Sequence, residues 1–333
     1  MADNPIIQVD TPRLIDFLKQ DLAQLENQRK SVLRKQKAVL YWIAGATLPG
    51  AVIVGLISQS LLGALGGAFA AALVVGLLYY LIVVSTAAGK YQRSYKYHIG
   101  QAIVRQIDPN LQFNPSDGIS CSDFERSELY TQRPDRYGSG DLIQGSLGKT
   151  AVRIANVHAE SEHRDTDDEG RTSTRYTDIF RGNLFVADFH KQFNGRTFIF
   201  LDSAERTFGS VGRFFQSMGG RSGTRLTQMD DPDFEQVFAI YTDNEIECRY
   251  ILSHSMMQSL LDLNERIASN DLRIGFSRSN IWITISHSKR TMQPSISVPA
   301  NDERQMQQFV LQITQYLSIV NELNLNTRIW SKQ

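Results

Sequence analysis

Fifty-two consecutive residues, Ala38–Gly89, carry no Asp, Glu, Lys or Arg. Helices of soluble proteins rarely stay uncharged over so many turns, so a pair of buried helices in a soluble core is the weaker alternative. A bilayer core about 30 Å thick takes about 20 apolar residues as helix, rising about 1.5 Å each. The whole run would make a rod of roughly 78 Å by the same rise, too long for one crossing. The polar break Ser58-Gln59-Ser60 divides it into Ala38–Ile57 and Leu61–Ala88. The expectation is a two-helix transmembrane hairpin over 38–57 and 61–88.

The flanks give the orientation. Arg29, Lys30, Arg34, Lys35 and Lys37 precede the run, and Lys90, Arg93, Lys96 and Arg105 follow it. Basic residues stay on the cytoplasmic side, so the N- and C-termini of this multi-pass chain are both expected there. Tyr41, Trp42, Tyr79 and Tyr80 suit the interface. The N-terminus MADNPIIQVD lacks a basic-then-apolar pattern, so no cleaved signal peptide is expected. Two cysteines, Cys121 and Cys248, make no disulfide framework and agree with a reducing compartment.

Within the hairpin, Pro49 predicts a kink. Gly63, Gly67 and Ala71 step by four, as do Ala68, Ala72 and Gly76, and small residues at this spacing let backbones approach closely. Packing of the two spans on each other is the simpler reading; a homo-oligomer is the alternative. No ionisable side chain lies within the spans, so neither a proton relay nor a lined pore is indicated.

The mean hydropathy of −0.26 hides this insert, because all 70 charged residues lie outside it. Lys+Arg and Asp+Glu are equal at 35 each, which argues against nucleic acid as a partner. Residues 1–37 read as an amphipathic helix opened by Thr11-Pro12, with Leu14, Phe17, Leu18, Leu22, Leu25, Val32 and Leu33 at helical spacing and Asp21 and Arg29 interrupting it. Residues 90–140 read as a juxtamembrane helix to Ile107 and a polar connector with Pro115, Gly118 and Pro134. From Asp141 the period becomes two. Strands are predicted at Leu142–Leu147, Thr150–His158, Thr177–Phe189, Arg196–Leu201, Phe238–Tyr241, Leu272–Phe276 and Ile281–Ser286, with Asn194-Gly195 as a hairpin signal. Helices are predicted at Asp231-Pro232, Ser255–Ala268 and from Asp302 onward. Residues 141–333 are therefore expected to form an α+β domain with an antiparallel sheet and a C-terminal helix, a strand meander that by analogy resembles a pleckstrin-homology-like barrel.

Motifs for chemistry are sparse. Gly145–Thr150 is too short between glycines for a phosphate loop, and Asp165–Gly170 lacks the twelfth-position Glu of a calcium loop. His158 and His163 with Glu160 and Glu162 have the types to chelate zinc, but a solvated strand end is the simpler reading. Cys248 reads as a small buried residue alternating with its neighbours; a Cys248-centred or His/carboxylate hydrolase site is the rival function. No cofactor or metal is expected. One segment invites a contact role: Ser203–Arg225 interleaves Phe208, Phe214 and Phe215 with Arg206, Arg213, Arg221 and Arg225. Aromatics beside arginines suit lipid headgroups or an acidic partner surface, and covering the sheet is the plain alternative.

The stretch Asp178–Phe189 with Asn194–Thr197, then Asp231–Glu235 with Phe238, Tyr241, Asp243 and Arg249–Leu252, resembles the bacterial "domain of unknown function 3137" family. The resemblance implies a membrane-anchored bacterial protein with no assigned reaction, and no functional residue is carried over. The sequence thus points to a membrane-anchored cytoplasmic binding or scaffolding module whose partners are the lipid bilayer and a membrane protein.

Overall fold

The computed structural model describes residues 9–58, 61–166, 171–189, 191–202, 223–267, 269, 271–287, 292–323 and 325. The chain divides into two compact units, one mainly Gln101–Thr291 with Leu311–Gln333, the other Asp10–Gly100 with Met292–Val310. The helical unit begins with α1 (Thr11–Phe17), followed by α2 (Lys19–Ser58), α3 (Leu61–Tyr79) and α4 (Ser85–Tyr95), with π-helical turns at Tyr80–Val84 and Lys96–Gly100. The N-cap of α1 is Asp10, whose carboxylate accepts from the Arg13 N–H at 3.1 Å; Thr11 and Pro12 already lie in the first turn. An aspartate one residue earlier is the stronger cap, which corrects the expected Thr11.

Leu14, Leu18, Leu22, Leu25 and Val32 are buried, as are Tyr91, Tyr95 and Ile99, and the Tyr95 ring meets Phe309 edge-on at 5.5 Å. Arg29, which breaks the apolar stripe, is buried on it. Its Nε and Nη2 donate to both Glu26 oxygens at 2.8 Å, and Nη1 donates to the Ile296 carbonyl at 2.9 Å. Glu26 also accepts from the Ala300 N–H at 3.0 Å. The Arg29 guanidinium holds the Glu26 carboxyl down at about 2. Since the folded value lies below the unfolded one, this stabilisation is complete above about pH 4.5 and is lost as pH falls toward 2. Glu26→Ala should cost about 2–4 kcal/mol, because it strands a buried guanidinium and an N–H. Thermal unfolding should show that loss, together with a flatter acid limb than the parent over the same pH window.

The second half of α2 runs antiparallel to α3. A Cβ on Gly76 would lie 2.6 Å from Ile43 Cγ1, and Trp42 and Tyr79 rings meet at 5.7 Å. Ala72 and Gly76 are buried at this contact; Gly67 and Ala71 are half-buried, and the surroundings of Gly63 and Ala68 lie outside the described residues. The run Leu65–Ile107 is the one helix, among the described residues, long and apolar enough to cross a membrane by length and composition.

The second unit is α+β, built on a nine-stranded antiparallel sheet. Its strands are β1 (Leu111–Asn114), β2 (Arg136–Leu147), β3 (Thr150–Thr166), β4 (Thr172–Asp188), β5 (Thr197–Leu201), β6 (Arg225–Thr227), β7 (Phe238–Thr242), β8 (Leu272–Ser277) and β9 (Asn280–Ser286). The spatial order is β1-β2-β3-β4-β9-β8-β5-β7-β6, so β9 and β8 separate β4 from β5. This is not the simple meander expected, and Asn194-Gly195 does not close a hairpin.

The helices of this unit are α5 (Gln101–Ile107), α6 (Cys121–Arg126), α7 (Pro232–Val237), α8 (Glu245–Ile251) and α9 (His254–Ile267), with α10 (Glu303–Glu322) continuing into it from the first. The stretch read as a connector carries β1 and α6, and Ile119, Phe124 and Leu129 from it enter the core. A four-residue strand and a six-residue helix are too short to show a period.

Strand alternation sorts two faces. On one, Ala155, Val157, Ala159, Phe180, Leu184, Val186, Phe198, Phe200 and Trp282 pack with Phe124 of α6. α6 is fixed there by Asp123 accepting from Arg153 at 2.7 Å. Arg273 lies on the same face, its guanidinium 4.2 Å from the Tyr130 ring centre and bonded to Asp271 at 2.9 Å. On the other face the register aligns Ile154, Phe185, Ile283, Ile274, Ile199 and Ile240 in one row. Thr150 at the end of β3 donates to the Leu325 carbonyl at 3.0 Å, beyond α10. α9 and α10 are joined by Arg266, which donates to Ser318 at 2.6 Å and pairs with Glu322.

Candidate functional site

Among the described residues, a group of three metal-ligating side chains lies where β3 and β4 leave the core. His158, Glu160 and Asp178 each present a donor atom, all within 4.8 Å of one another. His158 Nε2 lies 2.7 Å from Asp178 Oδ1 and 3.9 Å from Glu160 Oε1. His158 and Glu160 share a face because they are two apart on a strand. Asp178 joins them through a β-bulge: Ala159 pairs with Phe180, yet Glu160 pairs with Asp178, leaving Ile179 as the extra residue. Ile179 packs with Phe180 against the core, and the skipped position turns Asp178 over to the histidine's face.

Of the four side chains whose types could chelate zinc, His163 and Glu162 do not join this group. His163 falls an odd number of residues from His158 and so faces the other way, where its Nε2 meets Thr177 Oγ1 at 2.8 Å and Ser161 Oγ at 3.1 Å. Glu162 accepts from the Tyr176 hydroxyl at 2.8 Å and pairs with Arg164, which hold its carboxyl below the usual range. Asp178 was legible only as part of a family signature, because alternation alone cannot reveal a bulge.

Further polar side chains lie along the same face. Asn183 is buried; its Nδ2 is 2.9 Å from His287 Nε2 and also donates to the Tyr316 hydroxyl of α10. This network ties β4, the end of β9 and α10 together.

Cys248 lies on α8, a helix rather than an alternating strand, and is fully buried. Burial pushes its thiol up, with Thr197 and Thr242 beside it. A buried thiol short of thiolate is a poor nucleophile. Among the described residues, clefts open on this unit. One, of about 540 Å³, is lined by Met229, Asp231, Arg249, His254, Met257 and Gln258. Two of its three acids are engaged locally: Asp231 caps α7 through the Asp233 and Phe234 N–H groups, and Asp230 pairs with Arg249 at 2.8 Å. Another, of about 390 Å³, is bordered by Asn110, Gln112, Gln144, Arg153, Asp188 and Asn280.

Of the expected contact residues, Arg206, Phe208, Arg213, Phe214, Phe215 and Arg221 lie outside the described residues. Arg225 begins β6 and pairs with Glu245 at 3.0 Å. Beside it Leu226 is exposed, as are Ile246 and Tyr250 of α8.

The signature residues have structural work. Glu247 accepts from the Asn194 and Gly195 N–H groups, the latter at 2.6 Å, and Asp243 accepts from the Arg196 N–H at 2.7 Å and its Nε at 2.8 Å. Gly182 allows the β4–β9 approach, since a Cβ there would lie 2.1 Å from the Ile285 carbonyl oxygen.

Residues 178–325 match the sequence model of the family described as Protein of unknown function (DUF3137), which bears out the resemblance drawn from these motifs. Searches of curated proteins and of solved structures find no match.

Proposed function

We propose, from a family match that carries no assigned reaction, that this chain is a membrane-anchored binding or scaffolding module. The observation that carries the reading is the apolar belt on the helical unit. Leu56, Ile57, Leu62, Leu65, Phe69, Leu73, Leu77 and Ile82 all expose half or more of their surface. So large a contiguous apolar surface is unfavourable in water and suits hydrocarbon. In this reading residues 38–57 and 61–88 both cross the bilayer of a bacterial inner membrane. The basic flanks keep both termini in the cytoplasm, and the break at 58–60 faces outward.

The sheet unit then serves as the recognition element on the cytoplasmic side. From Gln106 to the end the chain has 24 Lys+Arg against 30 Asp+Glu, so it is not drawn to anionic lipid as a whole. Contact falls to the Arg- and Phe-rich segment 203–225, which takes a membrane protein or lipid headgroups. Replacing Phe214 and Phe215 with Ser should weaken that association, read by crosslinking in native membranes and by vesicle pull-down of detergent-exchanged protein. Thermal unfolding should stay unchanged; a collapse of the folded state would make these rings core residues instead.

A further inference from the structure

We infer that His158, Glu160 and Asp178 form a zinc site with three protein ligands and room for a fourth from solvent. The inference stands apart from the membrane reading. Zinc takes imidazole nitrogen and carboxylate oxygen at about 2.0–2.2 Å, so neighbouring donors around a tetrahedral ion lie about 3.3–3.5 Å apart. The donor separations here, 2.7 and 3.9 Å from the imidazole nitrogen, straddle that edge. Side-chain rotations of less than about 1 Å bring all three onto one ion.

The backbone supplies the placement. Without the bulge, Ile179 would oppose Glu160 and Asp178 would oppose Ser161 on the core face. The extra residue instead sets two carboxylates directly across from each other, and like charges in that position are unfavourable unless a cation lies between them. Two arginines register beside these acids: Arg136 opposite Glu160 on β2, with its guanidinium stacked 3.4 Å over the Tyr176 ring, and Arg181 opposite His158 on β4.

The donor types decide the metal class. One imidazole with two carboxylates favours a first-row transition ion over Mg²⁺ or Ca²⁺, which take all-oxygen shells. The three side chains are partly exposed, so the ion can enter and keep an open position.

The test is a competitive titration of the detergent-purified full chain with Zn²⁺ against a chromophoric chelator, after chelator stripping. The expected result is one Zn²⁺ per chain, undisturbed by millimolar Mg²⁺. Asp178→Asn and His158→Ala should each weaken binding at least about 10–100-fold, the range that even outer-shell changes reach. His163→Ala should change it less than about twofold by the same scale. Co²⁺ should give the visible absorption of a tetrahedral or five-coordinate ion in the parent and lose it in Asp178→Asn. Circular dichroism checks folding, and Glu160→Gln replaces any variant that does not fold. Absence of stoichiometric Zn²⁺, or parental affinity in folded Asp178→Asn or His158→Ala, would overturn the inference.

Discussion

Leu73→Asp/Leu77→Asp should release the chain from the membrane fraction. Both side chains are exposed on one face of α3, four residues apart, near the middle of the second proposed span, 61–88. Each carboxylate placed there costs about 2.5–3.5 kcal/mol on insertion-based scales, enough together to lower insertion by more than about a thousandfold. Fractionation after expression, with Leu73→Ala/Leu77→Ala as the matched control, reads the result directly. A pair of helices in water predicts the opposite: acids at exposed sites would be tolerated and would raise solubility. Retention of the double Asp variant in the membrane at the parental level would remove this face from the lipid.

Gly182→Val should unfold the sheet unit or destabilise it by about 3 kcal/mol or more. The added Cβ would meet a backbone oxygen, Ile285 O, at 2.1 Å, and a backbone atom cannot swing aside as a side chain can. β4 and β9 are paired over seven residues from Gly182–Ser286 to Asp188–Asn280, so separating them disturbs the centre of the nine-strand order. Chemical denaturation followed by tryptophan fluorescence would measure it, because Trp282 lies on β9 in the core. A loss below about 1 kcal/mol, ordinary for a surface site, would mean that the strands part more freely than this register implies.

The legible parts of the fold were those with a long, clean period. Phe180, Leu184 and Val186 share one core face and Phe185 takes the other, as alternation predicts. α9 and α10 lie within a residue or so of their expected starts. Turn chemistry was less dependable. Arg278 and Ser279 both adopt positive φ, at 52° and 57°, in the β8–β9 turn without the Asn or Gly that normally marks one. Asn194-Gly195 carries that mark, yet its N–H groups are spent on Glu247. The strand order was not legible, because β9 reaches β4 across almost a hundred residues of chain. Of the candidate site, residue types were visible but their facing was not: parity excludes His163, and only a bulge admits Asp178. Arg29 shows the same limit, since an apparent flaw in an apolar stripe is a buried fork on Glu26.

In the proposed reading, the exposed faces of α2 and α3 lie in hydrocarbon. Spin labels placed singly at Val52, Leu56, Phe69 and Leu73, in a chain with Cys121 and Cys248 replaced by Ser and reconstituted in lipid nanodiscs, test it most directly. Collision with oxygen should be high and collision with a water-soluble nickel chelate low at all four, with the contrast falling off toward Lys37 and Lys90. Free access of the nickel chelate at Phe69 and Leu73 would contradict the account.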